Sequence, residues 1–117
     1  MIRTTKEVVE SHLQLRLEGD LEEDLRRNYD EDVILLSAEG VNHGHDGVRK
    51  LASVLDGFVP QGSYTYEQIL HAGDMGMLHW HGTGEDRDIH DGADSYLIRD
   101  GLIAIQTIHY STRPATD

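Results

Sequence analysis

Apolar positions recur at helical spacing through the first half of the chain and alternate through the second half. Thr4 or Thr5 is placed to cap a helix carrying Val8, Val9, His12, Leu13 and Leu17 on one broad face. Gly19 breaks it, and Asp20 caps a second, short helix on which Leu21, Leu25 and Tyr29, four apart, share a face. The run Val33-Ile34-Leu35-Leu36 is too short for a helix and is apolar at both parities, which predicts a strand buried on both faces. A turn-rich stretch from Gly40 to Gly47 leads into a third helix with Val48, Leu51, Ala52 and Leu55 on its inner side, ended by Gly57 and Pro60.

Beyond Pro60 the signals are those of strands. Tyr64 to Leu70 is the first; Gly73-Asp74 turns it into Met75 to Thr83. Gly84 to Asp88 is a polar turn before Ile89 to Arg99, and Asp100-Gly101 is a hairpin signal leading into Leu102 to Tyr110. Helices first and antiparallel strands afterwards predict an α+β fold, and residues 1–117 read as a single domain with no linker or repeat.

The chain carries 22 acidic against 10 basic residues, a net charge of −12, which disfavours nucleic acid and anionic membrane surfaces as partners. It has no Cys, so disulfides and thiol chemistry are excluded. No apolar run is long enough to span a bilayer, and no apolar segment follows the opening Met1 to Lys6; the expectation is a cytoplasmic protein. Phosphate-binding glycine loops, a Gly-x-Ser-x-Gly elbow and a His-Glu-x-x-His motif are all absent, so no cofactor is expected.

Four segments, Glu18-Gly19-Asp20-Leu21, Tyr29-Asp30-Glu31-Asp32-Val33, His43-Gly44-His45-Asp46-Gly47-Val48 and Asp94 to Ile103, follow one another in an order that resembles the nuclear-transport-factor-two-like superfamily. Its small-molecule branches include the SnoaL-like polyketide cyclases, ketosteroid isomerase and limonene epoxide hydrolase. The resemblance implies a cone-shaped, strongly curved antiparallel sheet packed on three N-terminal helices. It also implies a cavity for a small apolar molecule and a homodimer formed through the sheet's other face. Fold alone does not fix the chemistry.

Period-two geometry puts Asp94, Tyr96 and Ile98 on one face, and an acid on a buried face must be paired or protonated. By the resemblance Asp94 corresponds to the Asp that donates an oxyanion-hole hydrogen bond in ketosteroid isomerase, and His12 to that enzyme's oxyanion-hole Tyr. Arg16 follows His12 by one helical turn, so His12, Arg16 and Asp94 are candidates for one polar cluster; the plainer reading leaves Arg16 solvated and His12 half-buried. Ser37 stands where the isomerase has its carboxylate base, and Ser is no base at neutral pH. Ile108 stands near one of the epoxide hydrolase's acids, so neither mechanism transfers intact. On the last strand the resemblance turns Ala104, Gln106, Ile108 and Tyr110 to the cavity, leaving Ile103, Ile105, Thr107 and His109 on the other face. Trp80 and Tyr29 are expected as apolar walls.

His79 and His81 flank Trp80 and point away from it. A metal site would need a converging third ligand, and the spacing signature for one is missing, so no metal is expected. Three readings stay open on this evidence: an acid–base isomerase, cyclase or hydratase, a binding module without turnover, and a dimeric domain of structural role. Asp94 and His12 are the catalytic candidates; Arg16, Tyr29, Ser37, Trp80, Tyr96, Gln106, Ile108 and Tyr110 are the candidates for ligand contact.

Overall fold

A computed structural model of the chain describes residues 2–60 and 63–115. The elements run α1 (Thr5–Glu18), α2 (Leu21–Asn28), β1 (Tyr29–Ser37), β2 (Gly40–His43), α3 (Gly44–Asp56), β3 (Tyr64–Ala72), β4 (Met75–Gly82), β5 (Arg87–Arg99) and β6 (Leu102–Pro114). The strands form one curved sheet in the order β2-β1-β6-β5-β4-β3. All pairs are antiparallel except β1 with β6, which is parallel because β1 enters the sheet from the helical half of the chain.

Local chemistry explains the boundaries. Thr4 caps α1 in a reciprocal pair with Glu7, and Gly19 ends it in the left-handed conformation at φ 75°. Asp20 caps α2 through the Glu23 amide. Asp100 and Gly101 both have positive φ, 54° and 75°, the geometry of the tight turn that joins β5 to β6.

One core runs between the helices and the sheet. Val8, Val9 and Leu13 of α1 and Leu25 of α2 meet Val33 and Leu35 of β1, Leu78 and Trp80 of β4, Tyr96 and Ile98 of β5, and Ile103 of β6. Burying each large apolar side chain contributes about 1.5–3 kcal/mol.

The structure corrects several local expectations. Leu17 is 39% exposed, and Leu15 takes its place among the buried residues of α1. Tyr29 leaves the helix and opens β1. The Val33–Leu36 run is buried on one face only, since Leu36 is 41% exposed and Ile34 half-buried. The turn-rich stretch after Gly40 contains the short strand β2. Ile103, expected on the outer face, is fully buried: Ile98 pairs with Ile103 and Leu97 with Ile105, so Ala104 is an extra residue that shifts the alternation by one. That bulge turns both Ile103 and Gln106 inward.

A second irregularity positions the single Trp. The pairing of β5 with β6 skips from His90 to Ala93, and Gly92 lies beside Trp80 in the neighbouring strand. A Cβ at position 92 would come within 2.5 Å of two indole carbons. Gly92→Ala is therefore expected to cost about 1–3 kcal/mol by overpacking and to alter the Trp80 emission spectrum. Urea denaturation followed by that fluorescence checks it; wild-type stability in the variant would contradict the packing described here.

Candidate functional site

Curvature of the sheet over α1 and α3 leaves a cavity of about 310 Å³. Its walls are mainly apolar: Leu13, Leu35, Val48, Leu51, Leu55 and Leu78, with Tyr64, Trp80, Tyr110 and Phe58 as an aromatic side. The rings meet edge to face, Tyr64 to Trp80 at 5.7 Å and Phe58 to Tyr110 at 6.2 Å, with Trp80 and Tyr110 tilted at 5.8 Å.

Asp94 faces this cavity from the middle of β5 and is buried. Its Oδ1 accepts from Trp80 Nε1 at 3.1 Å, and its Oδ2 accepts from Gln106 Nε2 at 3.1 Å and from the Tyr96 hydroxyl at 3.4 Å. Tyr29 in turn donates its hydroxyl proton to Gln106 Oε1. Both ends of the Gln106 amide are therefore committed within the protein, and the residue orients Asp94 from across the β5–β6 pair. Burial raises the Asp94 pKa to about 6, against the opposing pull of Trp80, His12, Gln106 and Tyr96. Burial also pushes the Tyr29 and Tyr96 hydroxyls far above their ordinary range, so both stay protonated.

His12 lies on α1 with its ring 5.5 Å from Tyr29 and 5.3 Å from Tyr96, and it lines the same cavity. Its nearest partner is Asp24 of α2, fully buried, whose Oδ2 is 2.8 Å from His12 Nδ1. The other oxygen of Asp24 accepts from Asn28 Nδ2 at 2.9 Å. A carboxylate only accepts, so His12 Nδ1 is the donor of this bond and Nε2 is the ring nitrogen left facing away from Asp24. Arg3 extends the chain outward, donating to Asn28 Oδ1 at 2.8 Å and to the Gly101 carbonyl at 3.0 Å.

Arg16, one turn beyond His12, lines the cavity and donates from Nη2 to the Tyr64 hydroxyl at 3.3 Å. Burial works against its charge, but the fields of Tyr64, Tyr29, Asp24 and Asp56 outweigh it and hold the guanidinium above its usual value. The three candidates His12, Arg16 and Asp94 thus share one cavity while each bonds to a separate set of neighbours. Tyr96, Ile108 and Tyr110 also border the space; Ser37 sits at its edge, where its Oγ accepts from the Glu39 amide at 3.1 Å. Ala104, at the bulge, is not among the lining residues.

Asp24, Tyr64 and Tyr66 escaped the reading of the sequence. Asp24 lies in the strongly charged run Leu-Glu-Glu-Asp-Leu, which looks solvated throughout; its signals are the three-residue step from Leu21 and the four-residue step to Asn28. Tyr64 and Tyr66, two apart, share a strand face that turns inward, and the Tyr66 hydroxyl donates to the Leu13 carbonyl at 2.9 Å.

On the sheet's outer side His79 is exposed, and Glu67, His81, His90, Asp91 and Arg113 border a separate polar concavity. His81 Nδ1 lies 2.5 Å from Glu67 Oε1. Among the described residues no three His, Asp or Glu side chains gather as a group able to hold a metal. No helix among them is long and apolar enough to cross a membrane.

The family model of the SnoaL-like domain matches residues 9–106. Among solved structures, an NTF-2-like protein of unknown function from Burkholderia xenovorans LB400 superposes with a TM-score of 0.75 at 17% identity, covering 97% of this chain and 87% of its own. A SnoaL-like polyketide cyclase candidate from Mesorhizobium loti gives 0.67 at 18% identity, covering 92% and 100%. TerC, co-crystallised with polyporic acid, gives 0.69 at 17% identity, covering 92% and 91%. At these identities the likeness is one of fold. No curated protein sequence matches the chain.

The raised pKa of Asp94 has a thermodynamic consequence. The folded chain holds this proton more tightly than the unfolded chain, so between about pH 4 and 6 it retains a proton that the unfolded chain has lost. Stability from this group is therefore greatest below about pH 4, falls as pH rises, and levels off above 6, a total on the order of 3 kcal/mol. Asp94→Asn removes that fall. Urea unfolding across pH 4 to 7 should show the wild type losing ground to the variant by this amount; a difference that stays constant with pH would contradict the assignment.

Proposed function

This chain belongs to the SnoaL-like domain family, and from that premise we propose that its cavity takes a small, largely apolar carbonyl compound and moves a proton on it, as an isomerase, cyclase or hydratase does, without an organic cofactor. The observation that carries this reading is the presence in one apolar cavity of Asp94, with a pKa of about 6, and of His12, whose ring is oriented by its bond to Asp24. In this reading Asp94 or His12 takes the proton next to the carbonyl, leaving an enolate, and the same group, now protonated, gives it back to another carbon, so the site ends in its starting state. Arg16 faces the oxygen that gains charge, while Trp80, Tyr29 and Tyr110 shape the walls.

The arrangement around Asp94 favours a proton acceptor over the oxyanion-hole donor that the resemblance implies. Trp80 Nε1 can only donate, and the Gln106 amide presents its NH₂ to the carboxylate because Tyr29 occupies the other end. Fold-level support comes from TerC, whose crystals contain polyporic acid.

Ser37 favours a second reading, binding without turnover. The position that resembles the isomerase's base holds a hydroxyl already engaged with the Glu39 amide. Deuterium exchange separates the two. In D₂O with a panel of small aryl ketones, the catalytic reading predicts incorporation at the carbon beside the carbonyl, slowed at least about a hundredfold by His12→Gln or Asp94→Asn. Ketones that bind and are recovered without deuterium would leave only the binding reading.

The proposal includes a homodimer formed through the outer face of the sheet. Register places Met75, Leu97, Ile105 and Ile34 side by side across four strands, an apolar row on the side away from the cavity, and Met75 is 48% exposed. Sedimentation equilibrium should give about twice the 13.2 kDa chain mass, and Leu97→Lys should return it to the monomer value; a wild-type monomer would contradict this part.

A further inference from the structure

Arg16 differs from the paired arginines of the surface. Arg26 and Arg27 pair with Glu23, and Arg49 with Glu22 and Asp46. Arg16 is half-buried in the cavity wall, where the fields of Tyr64, Asp24 and Asp56 reach it. Its contacts include the Tyr64 hydroxyl and, with Cζ 5.7 Å from the centroid, the Tyr64 ring. Its position in the last turn of α1 offsets part of the cost of burial through the helix dipole. A guanidinium offers five N–H donors in a planar fork that matches a carboxylate, and the Tyr64 hydroxyl takes one of them. The surrounding fields keep this guanidinium charged inside an apolar cavity, where a carboxylate entering beside it would gain a charge-assisted bond in a low-dielectric setting.

The surroundings narrow the anion further. Net charge of −12 keeps the exterior hostile to acids in general, so selection of one requires a local cation of this kind. The aromatic side of the cavity, Tyr64, Trp80 and Tyr110, lies against the same space and suits a flat ring. His12 stands one helical turn away on the same face, a pitch of about 5.4 Å. A carboxylate on Arg16 would therefore put atoms a few bonds distant beside His12.

We infer that the ligand of this cavity is an aryl carboxylic acid, with its carboxylate seated on Arg16 and its ring against Tyr64 and Trp80. The inference rests on the cavity being a small-molecule site, and it sharpens the apolar carbonyl compound to one that carries a negative charge.

Isothermal titration with 2-naphthoate and its neutral methyl ester tests it. The wild type should bind the acid about tenfold or more tighter than the ester at neutral pH. Arg16→Gln should bring the two affinities together, mainly by weakening the acid, and an unchanged Trp80 emission spectrum reports that the cavity is intact. Arg16→Lys should keep part of the preference. Equal or tighter binding of the ester by the wild type, or a preference for the acid that survives Arg16→Gln, would overturn the anion assignment and leave the cavity reading standing. Failure of the wild type to bind either probe would overturn the cavity reading itself.

Discussion

The carboxylate of Asp94 is held between two opposing demands. Burial under the helices favours its neutral form, whereas Trp80, Gln106 and Tyr96 direct N–H and O–H groups at its two oxygens and favour the charged one. Burial prevails, and the carboxyl is left with a pKa of about 6. The cone's shape is tied to this balance. The bulge at Ala104 turns Gln106 inward, and Gly92 leaves room for the Trp80 ring.

A second buried acid anchors the opposite wall. Asp24 joins α2 to α1 through His12 and reaches the surface through Asn28 and Arg3, which also ties the start of the chain to the β5–β6 turn. Removing one member of such a buried set leaves an unsatisfied charge and costs several kcal/mol. The same bonds fix the orientation of His12. Stability and the candidate chemistry therefore draw on the same residues.

Much of this was legible in the chain because local signals and the global fold agree. Asp100-Gly101 marks the hairpin by its turn chemistry, the Asp94-Tyr96-Ile98 alternation gives the buried face of β5, and Gly19-Asp20 divides the first two helices. What was hidden depends on contacts distant in sequence. A strand's alternation cannot announce its own bulge, so period two alone puts Ile103 on the outer face although the fold buries it. Asp24 looks like its solvated neighbours Glu22 and Glu23 until α1 packs over it with His12. The run from Val33 to Leu36 suggests two buried faces, but Leu36 stands on the outer side of the sheet and is 41% exposed.

The site depends on a cavity dry enough to raise the pKa of one acid. Carbon-13 NMR of the Asp94 carboxyl across pH 3 to 8 measures this directly. The expected midpoint of that resonance is near 6. A midpoint in the ordinary aspartate range, near 4, would mean that water reaches the group freely and would contradict the central claim.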